Sequence, residues 1–249
     1  MGPSKIGILG GAFDPIHVGH VAAARAAIAA EKLDLVLVVP CARAPHKSDF
    51  ETSAEHRLAM VRLAVESEVK MEACDLELRR GGVSYTADTV SEIAAGYLSP
   101  DRRRPERLSP DSDIGTDIRL FLILGQDAAS GLPSWRDASR ILDQVEVLVV
   151  PRLDEGDSPD CPADETRRAS STASSTESST HSARASSPIG KLIPMETVNV
   201  ASRTVRDALR EGRVPNGLVT PSVADYIRTH GLYDIDDTQT NPSDGTRQS

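Results

Sequence analysis

Four short apolar runs divide this chain, at residues 6–9, 35–39, 120–124 and 145–150. Each is too short for a typical helix and lacks polar alternation. That is the pattern of strands buried on both faces of a sheet. Helical spacing fills the gaps between them. An Ala-rich stretch spans 18–30, and 54–67 carries Leu58, Val61 and Val65 on one face behind Ser53, a good N-cap residue. Residues 86–97 and the region around 136–142 read as further helices. Strand and helix in alternation predict an α/β fold, with a parallel sheet and right-handed crossovers. The globular pattern returns at 192–200, at a helix over 202–211 and at 221–229, which forms a small C-terminal helical part.

Two segments break this order. Residues 153–187 are acidic at first and then rich in Ser, Thr and Ala, with almost no large apolar side chains. Such a segment cannot offset its ordering entropy by burial, so a disordered insertion is expected there. The acidic tail 234–249 reads the same way. The formal net charge is −9, of which −4 lies in 153–187 and −3 in 234–249, leaving −2 for the other 198 residues. One near-neutral domain over 1–233, interrupted by the insertion, is therefore expected. The loop 99–117 with Arg102, Arg103 and Arg104 reads as a solvated charged loop.

Composition also narrows the partners. An acidic chain is a poor candidate for sequence-independent nucleic-acid binding, which depends on Lys and Arg neutralising phosphates. No run of 18 apolar residues suggests a membrane span, and the first residues carry no signal-peptide pattern. Cys41, Cys74 and Cys161 are odd in number and far apart. They give neither a disulfide framework nor a zinc spacing, and fit a reducing cytoplasm.

The segment with the most chemistry is Gly10-Gly-Ala-Phe-Asp-Pro-Ile-His-Val-Gly-His20, between the first strand and the first helix. Glycines allow close backbone approach, and a helix N-terminus offers unpaired N–H groups and a positive dipole end. His17 and His20, three apart in a first helical turn, would share a face. Two imidazoles beside backbone donors could bind a polyphosphate and stabilise shifting charge. A metal pair is the competing reading, but no third ligand stands at metal spacing. Neither the P-loop pattern nor GxGxxG is present.

The stretch Gly11 to His20 resembles the signature of the HxGH nucleotidyltransferase superfamily. Other stretches make the chain similar to the bacterial nicotinate-nucleotide adenylyltransferases: Pro45-His-Lys47, Ser84-Tyr-Thr-Ala-Asp-Thr89, Gly125-Gln-Asp127, Trp135, Arg152, Val200-Ala-Ser-Arg-Thr-Val-Arg206, Pro221-Ser-Val-Ala-Asp-Tyr-Ile and Gly231-Leu-Tyr. The resemblance covers about residues 5 to 233 apart from the insertion. It implies a Rossmann-like, doubly wound parallel sheet of the HxGH nucleotidyltransferase type.

The resemblance further implies a reaction: adenylyl transfer from ATP to nicotinate mononucleotide, giving nicotinate adenine dinucleotide and pyrophosphate. His17, His20 and Arg206 would be catalytic. Gly10, Gly11, Phe13, His17, His20, Gly125, Asp127, Ser202 and Arg206 would bind ATP. His46, Lys47, Thr86, Trp135 and Arg152 would bind the mononucleotide. Mg²⁺ would arrive with the ATP phosphates, with no dedicated protein metal site. The implied enzyme is cytoplasmic, takes small-molecule substrates, and has no nucleic-acid or membrane partner; a homo-oligomer stays open. Three alternatives also stay open: preference for nicotinamide mononucleotide, preference for phosphopantetheine, and a non-catalytic adenylate-binding module. The chain departs from the family pattern at Ala12, at Cys41-Ala42, and at Ala201 and Arg203 in the second phosphate motif.

Overall fold

The structure is a computed structural model; it describes residues 3–44, 50–97, 118–151, 189–195, 200–213, 215 and 217–233. The insertion 153–187, the tail 234–249 and the triple-arginine loop lie outside the described residues. Six strands form one sheet: β1 (Ser4–Gly11), β2 (Leu35–Pro40), β3 (Met71–Ala73), β4 (Ile118–Gly125), β5 (Val145–Val150) and β6 (Lys191–Leu192). Their order is β3-β2-β1-β4-β5-β6 and every neighbouring pair is parallel. Ile6 of β1 stands opposite Leu35 of β2 on one side and Leu120 of β4 on the other.

The strands alternate their side chains between two apolar layers. Leu9, Val36, Val38, Phe121, Ile123, Leu148 and Val150 face one layer. There they meet α1 (Val18–Glu31), α2 (Ala54–Val65), α7 (Ser202–Arg210) and α8 (Pro221–Thr229). Ile6, Ile8, Leu35, Leu37, Leu122, Val147 and Val149 face the other. They meet α3 (Leu76–Arg80), α4 (Thr86–Glu92), α5 (Gln126–Gly131) and α6 (Ala138–Leu142). All six residues of β2 are buried, which is why it reads as one apolar run. The sheet is thus doubly wound, as expected. The C-terminal helices α7 and α8 pack in the same layer as α1 and α2.

Elements differ from the sequence expectation where a local signal is short. β3 has three residues and only Met71 is buried, so no alternation could show. The expected helix over 86–97 is α4 followed by a π-helical turn, Ile93–Tyr97. The helix expected from about 136 begins at Ala138, because Asp137 holds a left-handed conformation (φ 56°). In the order found here, the chain runs from β1 to β2 on one side and pairs β1 with β4 on the other. The crevice beyond the carboxyl ends of β1 and β4 is the switch point where ligands bind in such sheets.

Candidate active site

β1 delivers Gly10 and Gly11 to that crevice, and residues 12–17 turn the chain back into α1. Phe13 takes a left-handed conformation (φ 51°) and buries its ring. A Cβ at Gly11 would come within 3.0 Å of that ring, so the turn needs glycine there. His17 is the N-cap of α1, with extended backbone, and His20 lies in the first turn. The histidines therefore do not share the helix, as the spacing suggested; one precedes it. They still meet, with ring centroids 3.7 Å apart and planes 28° from parallel. The edge of Phe13 closes on His20 from another side, 4.9 Å between centroids. A Cβ at Gly19 would sit 3.1 Å from the His17 ring, which explains the glycine between the histidines.

Hydrogen bonds define what this corner offers. His20 Nδ1 accepts the His17 backbone N–H at 3.2 Å. That assigns the proton of the neutral ring to Nε2, as a donor. The N–H groups of Val18 and His20 go to the carbonyls of Leu218 and His17. Gly19 is left as the first-turn N–H with no backbone acceptor among the described residues. The first turn of α1 holds no acidic side chain. An anion there meets the positive end of the helix dipole with no acidic side chain in that turn.

α7 abuts the same loop. Ser202 Oγ donates to the Pro15 carbonyl (2.9 Å) and Arg206 donates to the Asp14 carbonyl (2.7 Å). The N-cap of α7 is Ala201 and Ser202 is its first helical residue, so the serine is not the cap. Arg206 pairs with Glu51 at 2.7 Å, and Arg210 pairs with the same carboxylate. Arg203 is exposed and, among the described residues, pairs with Asp207 at 3.9 Å. Asp14 itself is buried. Its carboxylate accepts from Glu51 N–H (2.7 Å), Thr52 Oγ (2.8 Å) and Tyr233 Oη (2.7 Å). Burial, helped by the Asp14 charge, pushes the Tyr233 phenol well above its ordinary value, so it stays a donor.

Across the crevice, Gly125 ends β4 and serves as N-cap of α5, and Asp127 lies exposed in the first turn. On the other face of the sheet Thr86 opens α4, and Trp135 follows the 3₁₀ turn Leu132–Ser134, half-buried against the core. Side-chain contacts hold these elements together, among them Gln144 Nε2 donating to Ser91 Oγ at 3.1 Å. The Arg136 guanidinium lies 4.4 Å from the Tyr85 ring centroid, and Arg140 pairs with Asp88 at 2.7 Å. Asp88 is thus a first-turn acid with a structural partner. Beneath them Glu77 is buried and accepts from Thr89 Oγ at 2.6 Å. Desolvation raises its carboxyl above the ordinary 4.5 despite hydrogen bonds from Thr89 and Ser84 and the charge of Arg80.

The structure brings Gly10, Gly11, Phe13, His17, His20, Ser202 and Arg206 around one loop. It places Gly125 and Asp127 at the neighbouring strand end, and Thr86 and Trp135 on paired elements. His46, Lys47 and Arg152 lie outside the described residues, as does Cys161. Cys74 is buried, and Cys41 N–H bonds the Gly11 carbonyl (2.9 Å) at the strand ends. Sequence motifs alone do not single out Asp14, Glu51, Thr52, Arg57 or Tyr233, which hydrogen bonds gather at residues 12–14 of the loop. For Arg57 a signal existed: it falls on the apolar stripe of α2 with Met60, Val61 and Ala64. Among the described residues no group of three or more His, Cys, Asp or Glu side chains is gathered for a metal ion, and no helix is long and apolar enough to cross a membrane.

Known proteins agree with this layout. The cytidylyltransferase-like family model matches residues 8–186. A Gemmatimonas aurantiaca protein named "Probable nicotinate-nucleotide adenylyltransferase" is 33% identical over 230 residues, 92% of this chain and 92% of its own length. A Pseudomonas putida protein of the same name is 34% identical over 231 residues, 92% of this chain and 94% of its own. Among solved structures, Plasmodium falciparum nicotinic acid mononucleotide adenylyltransferase complexed with NaAD shares the fold, with TM-score 0.59 and 19% identity over 92% of this chain and 97% of that one. The HxGH loop, the sheet order and relatives matched along almost their whole length lead to one assignment: the chain belongs to the cytidylyltransferase-like family and, within it, to the nicotinate-nucleotide adenylyltransferases.

Proposed function

We propose that this chain transfers the adenylyl group of ATP to nicotinate mononucleotide in NAD biosynthesis. The carrying observation is the joint built around residues 12–20: stacked His17 and His20 at the start of α1, with Ser202 and Arg206 of α7 bonded to the same loop. A phosphate oxygen of the mononucleotide attacks the α-phosphorus of ATP in line. A new P–O bond forms, the bond to the bridging oxygen of the β-phosphate breaks, and pyrophosphate leaves. The nucleophile is already an anion, so neither a base nor a Ser or Cys nucleophile is required. The work is positioning and charge stabilisation.

Each group has a part in this reading. His20 Nε2–H, His17 and the Gly19 N–H face the ATP phosphates, with Gly10, Gly11 and Phe13 shaping the loop. Ser202 and Arg206 hold the leaving phosphates. Gly125 and Asp127 take the adenosine side. Trp135 and Thr86 line the pyridine pocket, with His46, Lys47 and Arg152 on the mononucleotide phosphate. ATP brings Mg²⁺, which keeps several waters and needs few protein ligands. The donor set fits that arrangement, because the loop carboxylate of Asp14 already accepts three hydrogen bonds. We read the enzyme as cytoplasmic, one domain over 1–233 with an insertion at 153–187, acting on small molecules alone.

The test is pyrophosphate release from ATP and Mg²⁺ with nicotinate mononucleotide, nicotinamide mononucleotide or phosphopantetheine as acceptor. The first should give the highest kcat/KM. Release with another acceptor alone, or none at all, would overturn the reading.

A further inference from the structure

Arg57 is a fully buried guanidinium, 1% exposed, on the apolar face of α2. A charge placed there needs a reason, since an apolar residue of similar volume would pack without the desolvation cost. Both of its hydrogen bonds among the described residues go to carbonyls. One nitrogen donates to Ala12 at 2.7 Å, in the loop after β1 that leads to His17. The other donates to Ala42 at 3.3 Å, in the loop after β2. Its Cζ lies over the Phe50 ring, 4.1 Å from the centroid. Ala42 continues the connection: its N–H donates to Ser84 Oγ at 3.2 Å, and the Ser84 N–H returns to the Arg43 carbonyl at 2.8 Å. Ser84 directly precedes Tyr85 and Thr86.

A continuous bridge therefore runs from the HxGH loop through Arg57 and Ala42 to the start of α4. Resting on the adenylyl-transfer reading, it joins the side that would hold ATP to the side that would hold the mononucleotide. We propose that Arg57 is a positioning residue that sets the separation between the two substrate subsites. It touches neither substrate. A planar guanidinium presents two donors in a fixed fork and can hold two separate carbonyls at once, which a single ammonium on a flexible stem does not do in the same geometry. In-line attack depends on the distance between the acceptor oxygen and the α-phosphorus, and a misplacement of about 1 Å can cost ~10²-fold in rate.

The experiment compares wild type with Arg57→Lys, both checked as folded by circular dichroism. Three quantities are measured: kcat for pyrophosphate release, the separate Kd of ATP and of nicotinate mononucleotide, and hydrogen–deuterium exchange of peptides over 11–17 and 41–44. The expected result is a kcat lower by about 10- to 10²-fold. Both Kd values should stay near wild type, and both peptides should exchange faster. An unchanged kcat, or a lower kcat explained by the unfolded fraction with unchanged exchange, overturns the proposal. Should Arg57→Lys fail to fold, Ser84→Ala cuts the same bridge one bond further along. It should shift kcat and the 41–44 exchange in the same direction, and no shift overturns the proposal. A wild-type protein that releases no pyrophosphate refutes the transfer reading instead, while the exchange comparison still decides whether Arg57 ties the two loops.

Discussion

A histidine whose Nδ1 accepts a backbone N–H has only Nε2–H to give to an oxygen anion, and His20 is held that way. Replacing it with alanine removes one donor aimed at charge that develops in the transition state. His20→Ala should lower kcat by about 10²–10³-fold with the fold retained; an unchanged kcat would remove His20 from the chemistry. Tyr233 acts at one remove, through Asp14. Tyr233→Phe leaves that carboxylate two of its three donors. It should cost about 1–2 kcal/mol of stability in urea unfolding; an unchanged midpoint would show that the phenol bond contributes nothing. Glu77 gives a pH-dependent test. Its carboxyl is raised above 4.5 by burial, so the folded chain keeps the proton longer than the unfolded one. That contribution is full below about pH 4.5 and is lost as the pH rises through the raised value. Glu77→Gln cannot titrate, so wild type should lose stability relative to the variant across that window. A pH-independent difference would contradict the burial argument.

Between elements, the pairing of α4 with α6 is the part of the site most open to direct observation. Arg140–Asp88 and Arg136 over Tyr85 fix the Ser84-Tyr-Thr stretch beside Trp135. Trp135 is the chain's one tryptophan. Its fluorescence should therefore change when nicotinate mononucleotide is added and saturate with occupancy. A spectrum indifferent to that ligand, in an enzyme that turns it over, would place the pyridine ring elsewhere. The strands were legible because 35–39 and 120–124 are buried and apolar throughout, and 145–150 is apolar and buried at all but the exposed Glu146. α1, α2 and α7 were legible as helical stretches in the sequence. β3, α3 and α5 were not: three, five and six residues hold too little of a period to register. The bonds of Ser202 and Arg206 to residues 14 and 15 span more than 180 positions, and no local pattern encodes them. The resemblance named both residues without showing that they grip the HxGH loop.

For the molecule as a whole, one sheet with a switch point between β1 and β4 carries all the described site residues at or beyond its carboxyl edge. The net negative charge of the chain falls mainly in the sequence segments 153–187 and 234–249. Replacing 153–187 by a short Gly-Ser linker should leave pyrophosphate release at its wild-type order of magnitude, as its composition offers little to bury. A collapse of activity in a folded variant would show that the segment contributes to the site. On the proposed reading the adenylyl group passes directly between the two nucleotides, without a covalent enzyme intermediate. A single turnover with ATP labelled at the α-phosphorus and excess nicotinate mononucleotide tests it most directly. The label should pass from ATP to nicotinate adenine dinucleotide, with none bound to acid-quenched protein at any time point. Label held on the protein, or no labelled dinucleotide, would contradict it.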